Sequence, residues 1–201
     1  MAFVSRGFTG KRGSAPPGRL PPGQYDAGDD FPVLTAGPVP QTRLDRWDFR
    51  IDGQVDDVLT WTWPQFQALK HEKIIVDIHC VTSWSKFDTN WTGVRVETLL
   101  DNVETAAEYL VAFSDGGYTT NLPLEDVLDG QAWIVDGYDG HPLAAEHGGP
   151  ARLLVPHLYF WKSAKWVRGL TLTLSNEPGF WENFGYNDYG DPWKEQRYAG
   201  D

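Results

Sequence analysis

Apolar residues in this chain come in short β-favouring runs, each soon ended by turn residues, a pattern that leaves little room for long helices. Trp47-Asp-Phe-Arg-Ile-Asp-Gly53 alternates apolar and polar residues up to a glycine, and Val58-Leu-Thr-Trp61 is placed to return beside it. Glu108-Tyr-Leu-Val-Ala-Phe113 and Tyr118-Thr-Thr-Asn-Leu122 flank the turn Ser114-Asp-Gly-Gly117, as the arms of a hairpin do. Lys73-Ile-Ile-Val-Asp-Ile-His-Cys80, Ala132-Trp-Ile-Val135, Ala151-Arg-Leu-Leu-Val155 and Gly169-Leu-Thr-Leu-Thr-Leu174 supply further strands. Helical spacing is confined to short pieces: Trp63 to Leu69 behind Pro64, Val96 to Val103, and a turn or two from Leu124. Many short strands interrupted by short helices define an α+β domain.

Cys80 is the only cysteine among 201 residues, so the fold must be held by a core and not by disulfides, and the chain is long enough to build one. One cysteine also excludes multi-cysteine zinc sites and iron–sulfur clusters held by four cysteines. The thiol closes the run from Lys73, where Ile74, Val76 and Ile78 share a face that Cys80 joins if the strand reaches it. After it, Val81 to Gly93 reads as a polar, tryptophan-marked loop. A free cysteine is most often a small buried hydrophobe, so the residue alone leaves packing and chemistry both open.

The ends of the chain differ from its middle. Residues 1–30 are rich in glycine and proline, including Ala15-Pro-Pro-Gly18 and Leu20-Pro-Pro-Gly23, and read as an extended arm. Residues 31–176 form the domain. Residues 177–201 carry seven aromatic side chains between Phe180 and Tyr198, a composition unsuited to a free tail, and are expected to pack on the domain. The N-terminus has no apolar stretch of the secretory type and no run approaches bilayer length, so a cytoplasmic protein without a membrane association is expected.

A net charge of −11 argues against nucleic-acid binding, which needs a basic stripe. The exception is local: from His147 to Asn176 there is no Asp or Glu, while Arg152, Lys162, Lys165 and Arg168 lie there with His147 and His157. This block reads equally as an anion pocket or as basic side chains in solvent. Within it, His147-Gly-Gly-Pro150 followed by Arg152 can bring backbone close to a ligand beside a cation. Ser163, Ala164 and Lys165 can receive a phosphate through N–H groups and an ammonium, although no nucleotide P-loop pattern is present.

Considered together, the His79-Cys80 strand exit with its Trp-Thr-Gly93 continuation and the block His147-Gly-Gly-Pro-Ala-Arg152…Val155-Pro156…Lys162-Ser-Ala-Lys-Trp166 resemble the molybdopterin-binding domain of the sulfite oxidase family. The likeness covers roughly residues 31–176, and it extends through arm and tail to the short bacterial sulfite oxidase-like oxidoreductases. It implies a mixed-sheet domain with short helices, in which Cys80 is the catalytic thiolate ligand of molybdenum, whose soft character suits sulfur. It further implies molybdopterin contacts at His147, Arg152, Ser163, Ala164 and Lys165, at Asp115 in a loop near the metal, and at Leu34 and Thr35 of the arm.

The same resemblance implies oxygen-atom transfer on a small sulfur- or nitrogen-oxo substrate, either sulfoxide or N-oxide reduction or sulfite oxidation. True sulfite oxidases follow their metal cysteine with an arginine-containing loop, whereas Val81-Thr-Ser-Trp-Ser-Lys86 supplies a lysine and looks more like the corresponding loop of bacterial methionine-sulfoxide reductases. Nothing resembles a haem domain or the dimerisation domain of the larger enzymes, so a monomer working with a separate electron-transfer protein or carrier is expected. The alternatives are a non-catalytic molybdopterin- or anion-binding protein that retains the fold, and a thiol enzyme using Cys80 with His79 or His147.

Overall fold

The structure, a computed structural model, describes residues 18–201. The reading of residues 1–17 as the start of an arm lies outside them. Among the described residues the strands, in chain order, are β1 (Tyr25–Asp26), β2 (Asp48–Gly53), β3 (Leu59–Thr62), β4 (Glu72–His79), β5 (Trp84–Arg95), β6 (Tyr109–Ser114), β7 (Thr119–Pro123), β8 (Trp133–Tyr138), β9 (His141–Pro142), β10 (Arg152–Leu154) and β11 (Val167–Thr173). The α-helices are short: α1 (Trp63–Gln67), α2 (Val96–Leu99) and α3 (Phe180–Asn183). None is long and apolar enough to cross a membrane.

The strands form two mixed sheets, so the α+β expectation holds. One runs β3-β2-β11-β6-β7, with β2 and β11 parallel and its other pairs antiparallel. The other is built on β5, which pairs antiparallel with β4 and β8 and parallel with β1, while β9 and β10 pair with β8. The β6–β7 hairpin falls where the Asp115-Gly-Gly117 turn requires it, with Gly116 and Gly117 both at positive φ.

Period-two alternation decides what each face of the β5 sheet covers. Val94, Ile134 and Leu153 turn inward and pack with Phe49, Ile51, Leu110 and Leu170 of the facing sheet in one buried cluster. Their chain neighbours Trp133, Val135 and Leu154 turn the other way, into a second cluster with Ile74, Ile78, Cys80, Trp84 and Trp91. The shared face expected for Ile74, Ile78 and Cys80 is therefore real, with Val76 half-buried against it.

Two local expectations need correction. Val81 to Gly93 is not a loop: the chain turns within Val81-Thr82-Ser83 and continues as the twelve-residue β5. It forms a strand because Trp84, Thr89 and Trp91 bury in a sheet as readily as aliphatic side chains do. A bulge absorbs the mismatch, since Val76 pairs with Thr89 but Ile78 with Lys86, and Asp88 takes φ 50° there. The helix expected from Val96 to Val103 also stops early, at Leu99, because the chain turns at Asn102, which takes left-handed backbone at φ 68°, while Leu100 and Val103 still pack on the core. By contrast α1 is fixed by its ends, with Pro64 in its first turn and a Thr62–Gln65 capping box that contributes about 1 kcal/mol.

Candidate functional site

β4 delivers Cys80 one residue beyond its own end, and the tight β4–β5 turn holds it there. The Cys80 N–H donates to the Trp84 carbonyl at 2.8 Å and the Ser83 N–H to the Cys80 carbonyl at 3.0 Å, with Ser83 in the left-handed region at φ 75°. This is the three-residue hairpin loop whose last residue adopts left-handed backbone. The thiol is 8% exposed and lies 3.1 Å from the Thr82 hydroxyl. Burial pushes it up, while the Thr82 hydroxyl and the cations of Lys165 and Arg197 draw it back. Beside it, His79 has Nδ1 2.8 Å from Ser85 Oγ, and burial pushes its imidazole down to about 4 against the pull of Asp77, so the ring is neutral at neutral pH.

The second half of the site is the glycine turn at His147. Gly148 sits at φ 111°, and its carbonyl accepts from the Trp166 N–H at 3.1 Å. A Cβ there would lie 3.1 Å from both Arg152 Cβ and Lys165 Cα, so a side chain would force apart the turn and the loop it packs against. The His147 ring stacks on Phe31, with centroids 4.0 Å apart and planes at 15°, and its Nδ1 is buried without a hydrogen-bond partner. Burial, then Lys165 and Arg152, push this imidazole down.

Arg152 opens β10 and is 1% exposed. Its Nη1 donates to the His147 carbonyl at 2.8 Å, its Nη2 to the Ser163 carbonyl at 2.6 Å, and its guanidinium lies 4.0 Å from the centre of the Phe160 ring. These partners are neutral. Burial pushes the guanidinium down to about 9, opposed by Tyr118 and Cys80. Ser163 Oγ accepts from the Val155 N–H at 2.9 Å, which fixes the loop from the other side. Lys165 Nζ donates to the carbonyls of Leu34 at 2.9 Å and Glu146 at 2.6 Å, and burial with Arg152 pushes it down to about 7. Trp166 then holds left-handed backbone at φ 53°, tied by its indole N–H to the Ala145 carbonyl.

The structure thus brings together His147, Arg152, Ser163, Lys165 and the Leu34 carbonyl, with Ala164 in the same loop, and sets Arg152 and Lys165 near enough to Cys80 to act on its thiol. It places Thr35 at the surface, bonded to the Gly37 carbonyl. Asp115 lies behind the loop, where its N–H reaches Trp166 and its carboxylate is taken by Arg168 and Thr42. The acid-free stretch is not one pocket. Lys162 is buried against Glu182, Arg168 pairs with Asp48 and Asp115, and His157 meets Asp126. Counter-charges from distant segments, invisible in the local sequence, leave His147, Arg152 and Lys165 as the basic groups of this stretch that have no carboxylate partner among the described residues.

Sequence reasoning missed Phe31, Thr82, Gln24 and Arg197. Gln24 Nε2 donates to the Cys80 carbonyl at 3.0 Å, and Arg197 Nη1 donates to the Val81 carbonyl. Only the aromatic Phe31, directly after the proline-rich arm and before Pro32, carried a signal that could have singled it out.

The residues fit a ligand that bears a phosphate and sulfur-bound metal. Arg152 is a buried cation with only carbonyl acceptors, which is costly unless an anion completes it. Among the described residues the N–H groups of Ala164 and Lys165 have no acceptor, and they follow directly on the Ser163 carbonyl that Arg152 holds. No cluster of three or more His, Cys, Asp or Glu among the described residues could hold a metal ion, so a metal at Cys80 would draw its other ligands from a cofactor.

Comparison with known proteins agrees. Residues 36–181 match the oxidoreductase molybdopterin binding domain. The chain is 42% identical over 197 residues to an uncharacterized oxidoreductase, YuiH, of Bacillus subtilis, covering 96% of this chain and 99% of that protein. It is 31% identical to a putative protein-methionine-sulfoxide reductase subunit, YedZ1, of Azospira oryzae, and 27% identical to the protein-methionine-sulfoxide reductase catalytic subunit MsrP of Pseudomonas syringae. The alignments cover 73% and 82% of this chain but only 57% and 53% of those two proteins. In fold it is similar to the sulfane dehydrogenase SoxCD of Paracoccus pantotrophus, with a TM-score of 0.62 at 20% identity over 69% of this chain and 41% of that one.

Proposed function

That the chain belongs to the oxidoreductase molybdopterin-binding domain family is the premise from which we propose that it transfers an oxygen atom to or from a small sulfur- or nitrogen-oxo compound, with Cys80 as the protein's ligand to molybdenum. The observation that carries this reading is the buried Arg152 guanidinium, which has no carboxylate partner among the described residues and lies near enough to the Cys80 thiol to interact with it electrostatically. When bound, the cofactor supplies a molybdenum centre able to exchange an oxygen atom and two electrons with a substrate.

Each residue of the chain has a separate task. Cys80 Sγ holds the metal from the protein side, with Thr82 Oγ1 steadying the sulfur. Arg152 and Lys165 neutralise the phosphate, and the N–H groups of Ala164 and Lys165 orient it. Lys165 has donated two of its three protons to carbonyls, which leaves the third for this purpose. His147 Nδ1, buried and unpartnered, provides one further polar contact. Trp84, Trp91 and Phe160 wall off bulk water, which strengthens every charge interaction inside. The protein's share of the reaction is thus placement and electrostatics.

Among substrates, the turn Val81-Thr82-Ser83 offers hydroxyls and no arginine, which favours a neutral sulfoxide or N-oxide over an anion such as sulfite. Electrons exchange with a separate carrier, and the chain works as a cytoplasmic monomer in this reading. The test is elemental: protein purified from a host that makes the cofactor should carry close to one molybdenum per chain. It should also turn over a sulfoxide, an N-oxide or sulfite with a reduced or oxidised dye. Well-folded protein that persistently lacks molybdenum and pterin would rule the proposal out.

A further inference from the structure

We propose that Arg197 is a positioning residue for Cys80: from the C-terminal segment, and together with Gln24 of the N-terminal arm, it clamps the β4–β5 turn so that the ligand sulfur is placed before any cofactor arrives. The inference rests on the reading of Cys80 as the metal ligand. A three-residue turn at the edge of a sheet is ordinarily mobile. Here nearly every carbonyl of the turn is held from outside. Gln24 Nε2 donates to Cys80, Arg197 Nη1 to Val81, and the Tyr25 N–H to Ser83.

Arg197 is suited to this by its planar fork. While Nη1 holds the turn, Nη2 donates to the Pro22 carbonyl at 3.3 Å and Nε meets Glu195 Oε1 at 3.4 Å, so one guanidinium joins three segments that are remote in sequence. The group lies 5.1 Å over the Tyr159 ring, and its side chain is only 12% exposed. The arm is shaped to admit it: a Cβ on Gly23 would fall 2.9 Å from Arg197 Nη2 and 2.5 Å from Glu195 Oε1, and Gly23 holds φ 70°. A lysine could carry the charge, but it has one nitrogen and no planar fork with which to hold Val81 by one amino group and Pro22 by the other.

The test compares Arg197→Ala, Arg197→Lys and Gln24→Ala with the wild type. In metal-free protein, amide hydrogen exchange at Cys80 and Ser83 should quicken at least about tenfold in both Arg197 variants, and by less in Gln24→Ala, while exchange in β8 and β11 stays at wild-type rates. In molybdenum-loaded protein, both Arg197 variants should keep their metal yet show a shifted molybdenum paramagnetic resonance spectrum, because the sulfur is less well fixed. Full rescue by lysine would overturn the clamp in favour of charge alone. Unchanged turn exchange would overturn it as well, and so would a general loss of protection with an unchanged spectrum, which marks a merely structural role. Failure of the wild type to take up molybdenum would remove the parent reading, and the exchange measurement would still decide the clamp.

Discussion

Arg152 Nη2 donates to the carbonyl of Ser163 at 2.6 Å, so the buried cation of the site also holds the loop whose next two N–H groups are without acceptors. One side chain sets both the charge and the shape of the phosphate-binding corner.

Replacing it separates these two parts. Arg152→Met keeps most of the length of the side chain and removes a buried charge that lacks a counter-ion among the described residues, at the loss of hydrogen bonds to the carbonyls of His147, Leu153 and Ser163. The terms oppose each other, so chemical denaturation of the metal-free variant should fall within about 2 kcal/mol of the wild type. Pterin retained through purification, read by fluorescence after oxidation, should drop at least about tenfold.

Cys80→Ser tests the metal directly. The residue is small and sits at a turn, so the melting temperature should change little. Molybdenum content and turnover should fall by more than the roughly 10–100-fold typical of losing a residue that merely supports a ligand. A variant with full molybdenum and normal rates would exclude Cys80 as the ligand.

Lys165 gives a pH signature in metal-free protein. Burial lowers its folded value to about 7 from the usual 10.5. Below about 7 both folded and unfolded chains hold the proton and the whole burial cost is felt; above 10.5 neither holds it. Between these limits the unfolded chain binds more protons, so the stability owed to this residue rises with pH. Relative to Lys165→Met, the wild type should therefore gain stability from about pH 6.5 to about pH 9.5 in denaturant titrations. Cofactor-loaded protein should show a flatter difference, because a phosphate keeps the ammonium charged.

The Lys162–Glu182 pair anchors α3 to the core at 2.7 Å, with both side chains almost wholly buried and the amine also bonded to Asn121 and Asp188. Lys162→Met or Glu182→Gln alone leaves one buried charge unpaired and should destabilise by about 3–5 kcal/mol, whereas the double variant should recover much of that loss. A thermodynamic cycle in urea measures the coupling. Additive single losses would show that the pair contributes nothing as a pair.

The sequence was most legible where function or topology rests on neighbours along the chain. Alternation in Trp47–Gly53 and Gly169–Leu174, and the Asp115-Gly-Gly117 turn, located strands and a hairpin because each pattern is completed within a few residues. The glycine turn before Arg152 and the Ser163–Lys165 loop were legible for the same reason. Val81 to Gly93 was misread as a loop because its β-formers are polar or aromatic and its register is corrected by a bulge, which depends on the partner strand.

By itself the sequence determined an α+β domain with one thiol at a strand exit and a basic, glycine-marked block downstream of it. Only the tertiary structure decided which of those basic groups remain available, because Glu182, Asp48, Asp115 and Asp126 engage Lys162, Arg168 and His157 from segments far away in the chain. It likewise decided that Gln24 and Arg197, 173 positions apart in the chain, meet at the Cys80 turn. The physical reason is common to both: hydrogen bonds and charge pairing act over a few ångströms in space, and chain order does not record which distant side chains will come that close.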